Sequence, residues 1–222
     1  MIKRIILDID GTITDMKLQI SPDTIKVLRI IEEKGIRIDL CSGNVLPVMI
    51  GIRNIIGLKG YLAAENGGII LSDNEIRKDF SKDIPIEVLK AMKTKFQITE
   101  PLTNRWRETS TAFYYSGNPE LVKDYAKEFD VSIQNSKFAY HILNKGQNKG
   151  HAVDVFLKLS EIRKDEVLVC GDSENDISMY MEGAHKAALS NSVDILKEKA
   201  EFVANKDYGE GVVEVLNHFG LL

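Results

Sequence analysis

Cysteine is scarce in this chain, two in 222 residues, which removes a disulfide framework and a thiolate zinc site from consideration. Both Cys41 and Cys170 sit inside apolar, strand-like runs, where a small buried thiol is the ordinary reading. Blocks of one charge are missing too. The formal net charge is −4 and Lys and Arg are scattered, so no basic stripe is present for a nucleic-acid backbone and nucleic acid is not an expected partner. No apolar run approaches the length of a membrane span, and Met1 to Leu7 is too short for the apolar part of a signal peptide. A cytoplasmic protein without a membrane partner, monomeric or homodimeric, is expected. Neither G-x-x-x-x-G-K-[ST] nor G-x-G-x-x-G occurs, and there is no Gly-x-Ser-x-Gly elbow, so nucleotide-binding and serine-hydrolase readings lose their main support. A hydrophobic share of 44% with 28% charged residues excludes disorder.

What is there alternates. Short runs rich in Ile, Val and Leu end in polar clusters and are separated by segments of helical period, the pattern of a parallel α/β sheet. Ile5 to Ile9 runs into Asp8 to Thr12, and Ile36 to Cys41 runs into Ser42 to Asn44. Between them Ser21 caps a helix that Pro22 opens and Gly35 closes, with Ile25, Leu28 and Ile31 on one face. A helix from Val45 to Ile56, a strand at Tyr61 to Ala64 and the loop Glu65-Asn66-Gly67-Gly68 follow. Later come a strand at Val167 to Cys170, a helix near Ile177, a strand at Ala187 to Leu189, a helix from Val193, a strand at Phe202 to Ala204 and a helix from Gly211. The middle reads differently: a helix at Pro85 to Phe96, a strand near Thr109 to Tyr115, a helix capped by Asn118 and Pro119, and strands near Val131 and Phe138 to Leu143. The expected organisation is a core of residues 1–80 and 148–222 with an inserted α+β domain at 81–147.

Ligands bind beyond the carboxyl ends of parallel strands, and the polar clusters fall there. Asp8 and Asp10, two residues apart, face the same side and crowd one space, an arrangement that a cation or a proton relieves. Asp172 and Asp176 add carboxylates that complete an all-oxygen magnesium site. A calcium loop is a poor alternative, because Glu174 and Ile177 break its pattern. Ser42 and Gly43 precede a helix and suit a phosphate oxygen, although Ser42 as a plain helix cap is the simpler alternative. Lys149 offers a point positive charge for phosphate or for a crowded aspartate. Glu65 and Asn66 lie at a third strand end and are candidates for support.

Taken in order, Asp8-Ile9-Asp10-Gly11-Thr12, Ser42-Gly43-Asn44, Asn148-Lys149-Gly150 and Gly171-Asp172-Ser173-Glu174-Asn175-Asp176 resemble the four motifs of the haloacid dehalogenase-like phosphatase superfamily, over the full chain. The resemblance implies a Rossmann-like core. The insertion between the second and third motifs is similar to the Cof-type, or type IIB, cap. The short length and the stretch Leu102 to Glu108 resemble archaeal phosphoglycolate phosphatases. It further implies that Asp8 is the nucleophile and Asp10 the general acid and base. Mg2+ would be held by Asp8, the Asp10 backbone carbonyl and Asp172, with Asp176 binding directly or bracing the site. Ser42, Gly43, Lys149 and Asn175 would bind the phosphoryl group. Arg105 and Arg107, if they share one strand and face, are expected to clamp a substrate carboxylate, and His141 is expected either to reach the site or to pack. Trp106 is expected in the core or at the cap interface. A sugar-phosphate phosphatase or phosphomutase, and a non-catalytic metal- or phosphate-binding module, are the competing readings.

Overall fold

The computed structural model describes residues 1–136 and 138–222. Its first strands, β1 (Arg4–Leu7) and β2 (Arg37–Cys41), flank α1 (Pro22–Glu33). The helix starts as its residues dictate: Ser21 accepts a hydrogen bond from the Thr24 N–H and Pro22 holds the first position. After α2 (Leu46–Ile56) and β3 (Leu62–Ala64), the chain turns back through β4 (Ile69–Ser72) and β5 (Glu75–Lys78). It then forms α3 (Asp83–Lys95), β6 (Ser110–Phe113), α4 (Pro119–Ala126), β7 (Val131–Asn135) and β8 (Tyr140–Asn144). It closes with α5 (Lys149–Ser160), β9 (Val167–Gly171), β10 (His185–Ala188), α6 (Asp194–Lys199), β11 (Phe202–Val203) and α7 (Tyr208–His218).

One sheet runs β11-β10-β9-β1-β2-β3-β4-β5, parallel as far as β3 and antiparallel over β4 and β5. The chain builds outward from β1 on one side, then returns to build from β1 on the other, so the loops beside β1 part and leave a crevice. Side-chain alternation divides the core. Ile5, Leu7, Ile38 and Leu40 pack with residues of α1, α2 and α7, while Ile6, Val169 and Ala63 pack with Ala152, Val153 and Phe156 of α5. Strands buried on both faces explain why β1 and β9 read as unbroken apolar runs. A second, three-stranded antiparallel sheet, β6-β8-β7, carries α3 and α4 around its own apolar cluster, which includes Val88, Met92, Phe113 and Ile142.

Three expectations change. The hairpin β4–β5 was not anticipated; it turns at Asp73 and Asn74, both in the left-handed region at φ 45° and 70°, the conformation a two-residue hairpin turn requires. The helix expected near Ile177 is a 3-10 turn, Glu174–Met179. The last helix starts at Tyr208, three residues before Gly211.

At the sheet edge opposite the polar loops, Arg4 donates from Nε and Nη2 to the Asp39 carboxylate at 2.7 and 2.5 Å, and the Tyr61 N–H donates to the same group at 2.6 Å. Both charged side chains are buried. Removing one partner strands the other charge without water. Asp39→Ala is therefore expected to destabilise the fold by about 3–5 kcal/mol in urea unfolding; a loss below about 1 kcal/mol would contradict this account.

Candidate active site

Four chain segments meet at the crevice beside β1. Asp8 follows that strand directly, anchored by its N–H donating to the Cys170 carbonyl at 3.1 Å. The loop then wraps on the Ile9 carbonyl, which accepts from the N–H groups of Thr12, Ile13 and Thr14. Gly11 is required twice over: its φ is +88°, and a Cβ there would stand 2.6 Å from Asp172 Oδ2. Asp172 follows β9, and its Oδ1 accepts from Thr12 Oγ1 at 3.2 Å.

Asp176 holds the turn after β9. Its Oδ2 accepts from the N–H groups of Asp172 and Ser173, both at 2.9 Å, and its Oδ1 accepts from Lys149 Nζ at 2.6 Å. Lys149 opens α5 and is fully buried; its Nζ also donates to Asp8 Oδ1 at 2.5 Å. A cation at a positive helix end is unfavourable in isolation. Burial disfavours its charge further, yet Asp176 and Asp8 outweigh burial and push the Lys149 pKa up. Burial, with Asp176, Asp172 and Asp10 behind it, holds the Asp8 carboxyl well above the usual carboxylate range against the pull of Lys149. One ammonium thus faces several buried carboxylates, and the cluster is short of positive charge. Ligand oxygens of Asp8, Asp172 and Asp176 lie within 4.8 Å of one another. An all-oxygen, charge-deficient donor set of this kind fits a hard divalent cation.

Asp10 lines the same cavity as Asp8 and has partners of its own. Its Oδ2 accepts from Asn44 Nδ2 at 2.5 Å, and Asn44 also donates to Ser42 Oγ, from its N–H at 3.1 Å and from Nδ2 at 3.3 Å. Burial raises the Asp10 pKa, with Lys149, Asn44 and Ser42 pulling the other way. Ser42 does not cap α2, whose capping residue is Val45, so the simpler alternative for Ser42 drops out. The brace between Ser42 and Asp10 was missed in the sequence, where Asn44 appeared only as part of a motif. Asn175 donates from Nδ2 to Asn66 Oδ1 at 3.0 Å, joining the loop after β9 to the loop after β3.

Above these groups lies a cavity of ≈400 Å³. Asp8, Asp10, Ser42, Gly43 and Asn175 line it from the large sheet, and Arg107 and His141 line it from the small one. His141 sits over Gly43, where a Cβ would be 3.0 Å from the ring, and its Nε2 pairs with Ser136 Oγ at 3.1 Å. The two arginines do not share a strand. Leu102–Trp106 is a 3-10 turn, which leaves Arg105 exposed and turns Arg107 inward. Trp106 is 52% exposed, so it belongs neither to the core nor to a buried interface. Glu65 does not reach the cavity; its carboxylate accepts from Glu108, Thr109 and Ser110. No helix among the described residues is long and apolar enough to cross a membrane.

The haloacid dehalogenase-like hydrolase family matches residues 5–129 and 90–216. The phosphoglycolate phosphatase of Picrophilus torridus is 42% identical over all of this chain and 93% of its own length. That of Thermoplasma volcanium is 38% identical over the whole of both chains. A crystal structure of a Thermoplasma acidophilum protein superposes with a TM-score of 0.93 at 36% identity, again covering both chains completely.

Burial, with Arg107 and Lys149 adding to it, pushes the His141 pKa well below its ordinary 6.5. Below pH 6.5 the unfolded chain therefore takes a proton that the folded chain refuses, and stability falls as pH drops toward the lowered value. The loss from this one group has a maximum slope of about 1.4 kcal/mol per pH unit. His141→Gln is expected to flatten the stability difference between pH 7 and pH 5 in urea unfolding relative to the parent; identical pH dependence would show that His141 titrates normally.

Proposed function

The chain belongs to the haloacid dehalogenase-like hydrolase family, and from that premise we propose that it is a magnesium-dependent phosphatase that hydrolyses a small phosphorylated metabolite, 2-phosphoglycolate, by way of a phosphorylated Asp8. The observation that carries this reading is the Lys149 ammonium shared by Asp8 and Asp176, with Asp172 alongside and a cavity above.

An Asp8 carboxylate oxygen attacks phosphorus as the bond to the ester oxygen breaks, giving an aspartyl phosphate. Asp10 protonates the departing oxygen. Its raised pKa suits it to carry that proton, and Asn44 holds the carboxyl in place. A water then attacks the phosphoryl group while Asp10 takes its proton back, and the phosphorus–oxygen bond to Asp8 breaks to release phosphate. Ser42, the Gly43 backbone, Lys149 and Asn175 hold the phosphoryl oxygens. Asp8, Asp172 and the Asp10 backbone carbonyl would hold Mg2+; both oxygens of Asp176 already accept hydrogen bonds, which suits it to bracing the loop and Lys149. When bound, the cation supplies the positive charge that lets a phosphate dianion approach a carboxylate. In this reading residues 81–147 form a cap over a core of residues 1–80 and 148–222. The sequence similarity to phosphoglycolate phosphatases supports the choice of substrate.

Asp8→Asn is expected to lower phosphate release from 2-phosphoglycolate and from p-nitrophenyl phosphate by roughly 10³-fold or more while the circular dichroism spectrum and thermal melt stay near those of the parent. Turnover close to the parent rate would remove Asp8 from the mechanism. Chelation should abolish phosphate release and added Mg2+ restore it; activity that persists in excess chelator would rule out the metal.

A further inference from the structure

Four buried side-chain polar atoms among the described residues have no hydrogen-bond partner, and two of them, Arg107 Nε and His141 Nδ1, belong to residues that line the cavity. Arg107 is 6% exposed. Its one side-chain hydrogen bond among the described residues runs from Nη1 to Ser110 Oγ at 3.2 Å. Glu65 lies near enough to favour the Arg107 charge, though burial outweighs it and lowers the pKa. A guanidinium taken out of water without a paired anion is strongly unfavourable. Such a group matches a carboxylate in shape and charge through two parallel hydrogen bonds.

The fold fixes this arginine where it is. Ser110 Oγ accepts from Arg107 and donates to Glu65 Oε2 at 2.7 Å. The same Glu65 carboxylate accepts from the Glu108 N–H at 2.8 Å, the Thr109 N–H at 3.0 Å and Thr109 Oγ1 at 3.1 Å. Every residue from 108 to 110 is thus hung on one buried side chain of the opposite sheet. Glu65 itself stands at φ 52° in the left-handed region, a strained conformation that the surrounding bonds must maintain.

Building on the phosphatase reading, we infer that Arg107 receives the carboxylate of a substrate whose phosphoryl group lies at Asp8, and that Glu65 is a positioning residue acting through Ser110. The substrate class is short phosphomonoesters with a second anionic end, and Arg105 has no part in recognising it.

The test compares the parent with Arg107→Ala, Arg107→Lys, Glu65→Gln and Arg105→Ala. Turnover is measured on 2-phosphoglycolate and p-nitrophenyl phosphate, and binding of phosphonoacetate and of inorganic phosphate is measured by calorimetry. Arg107→Ala is expected to lose about 10- to 100-fold in kcat/KM on 2-phosphoglycolate and a similar factor in phosphonoacetate affinity. Its turnover of p-nitrophenyl phosphate and its affinity for inorganic phosphate should stay within about threefold. Arg107→Lys should recover only part of the loss, because an ammonium lacks the fork. Glu65→Gln should raise KM for 2-phosphoglycolate more than it lowers kcat, and Arg105→Ala should match the parent. Equal losses on both substrates, or unchanged phosphonoacetate binding in Arg107→Ala, would overturn the assignment. A parent protein that releases no phosphate from either substrate would instead refute the phosphatase reading, and the binding measurements would still decide the role of Arg107.

Discussion

A single ammonium group shared by Asp8 and Asp176 holds the cavity side of the sheet together. These two carboxylates, with Asp172 beside them, come from chain segments more than 160 residues apart and would repel one another in a buried space. Lys149 reaches both, and it can do so because α5 starts beside β1 and packs on the face of the sheet formed by Ile6 and Val169. The glycines of the two loops serve the same end. Gly11 lets Asp172 close on the first loop, and a Cβ on Gly171 would stand 2.4 Å from Asp176 Cγ. Backbone conformation, packing of α5 and charge balance are therefore one problem with one solution.

The two sheets are joined by a different kind of contact. The apolar cluster of the small sheet is separate from the two of the large one; the crossing is made by hydrogen bonds on the Glu65 carboxylate and by Gln147 Nε2 donating to the Glu65 carbonyl at 2.7 Å. Directional bonds of this sort fix an angle, where an apolar interface would tolerate sliding. Positioning by polar bonds suits a cavity in which a misplacement of one ångström alters turnover.

Much of this was legible in the sequence, and the reasons for success and failure are physical. Strands β1, β2 and β9 announced themselves because both faces are buried, and α1 because Ser21 and Pro22 are local signals. The motif residues fell at strand ends or, for Lys149, at a helix start, and the fold brings Asp8, Lys149, Asp172 and Asp176 together. The hairpin β4–β5 escaped because its outer strand, Glu75–Lys78, is exposed throughout and carries no apolar alternation; the turn residues Asp73 and Asn74 were the available signal. Arg105 and Arg107 were paired on the assumption of an extended chain, but a 3-10 turn advances by three residues, so neighbours two apart diverge. The partners of Glu65 lie 43 to 45 residues away, and no local pattern reports a contact at that separation.

Trp106 is the sole tryptophan, half exposed, and adjoins the arginine that turns into the cavity. Its indole emission therefore arises from one place on the surface, with no second indole to overlap it. The molecule carries a built-in optical probe one residue away from a side chain that lines its cavity, suited to rapid-mixing fluorescence without any attached dye.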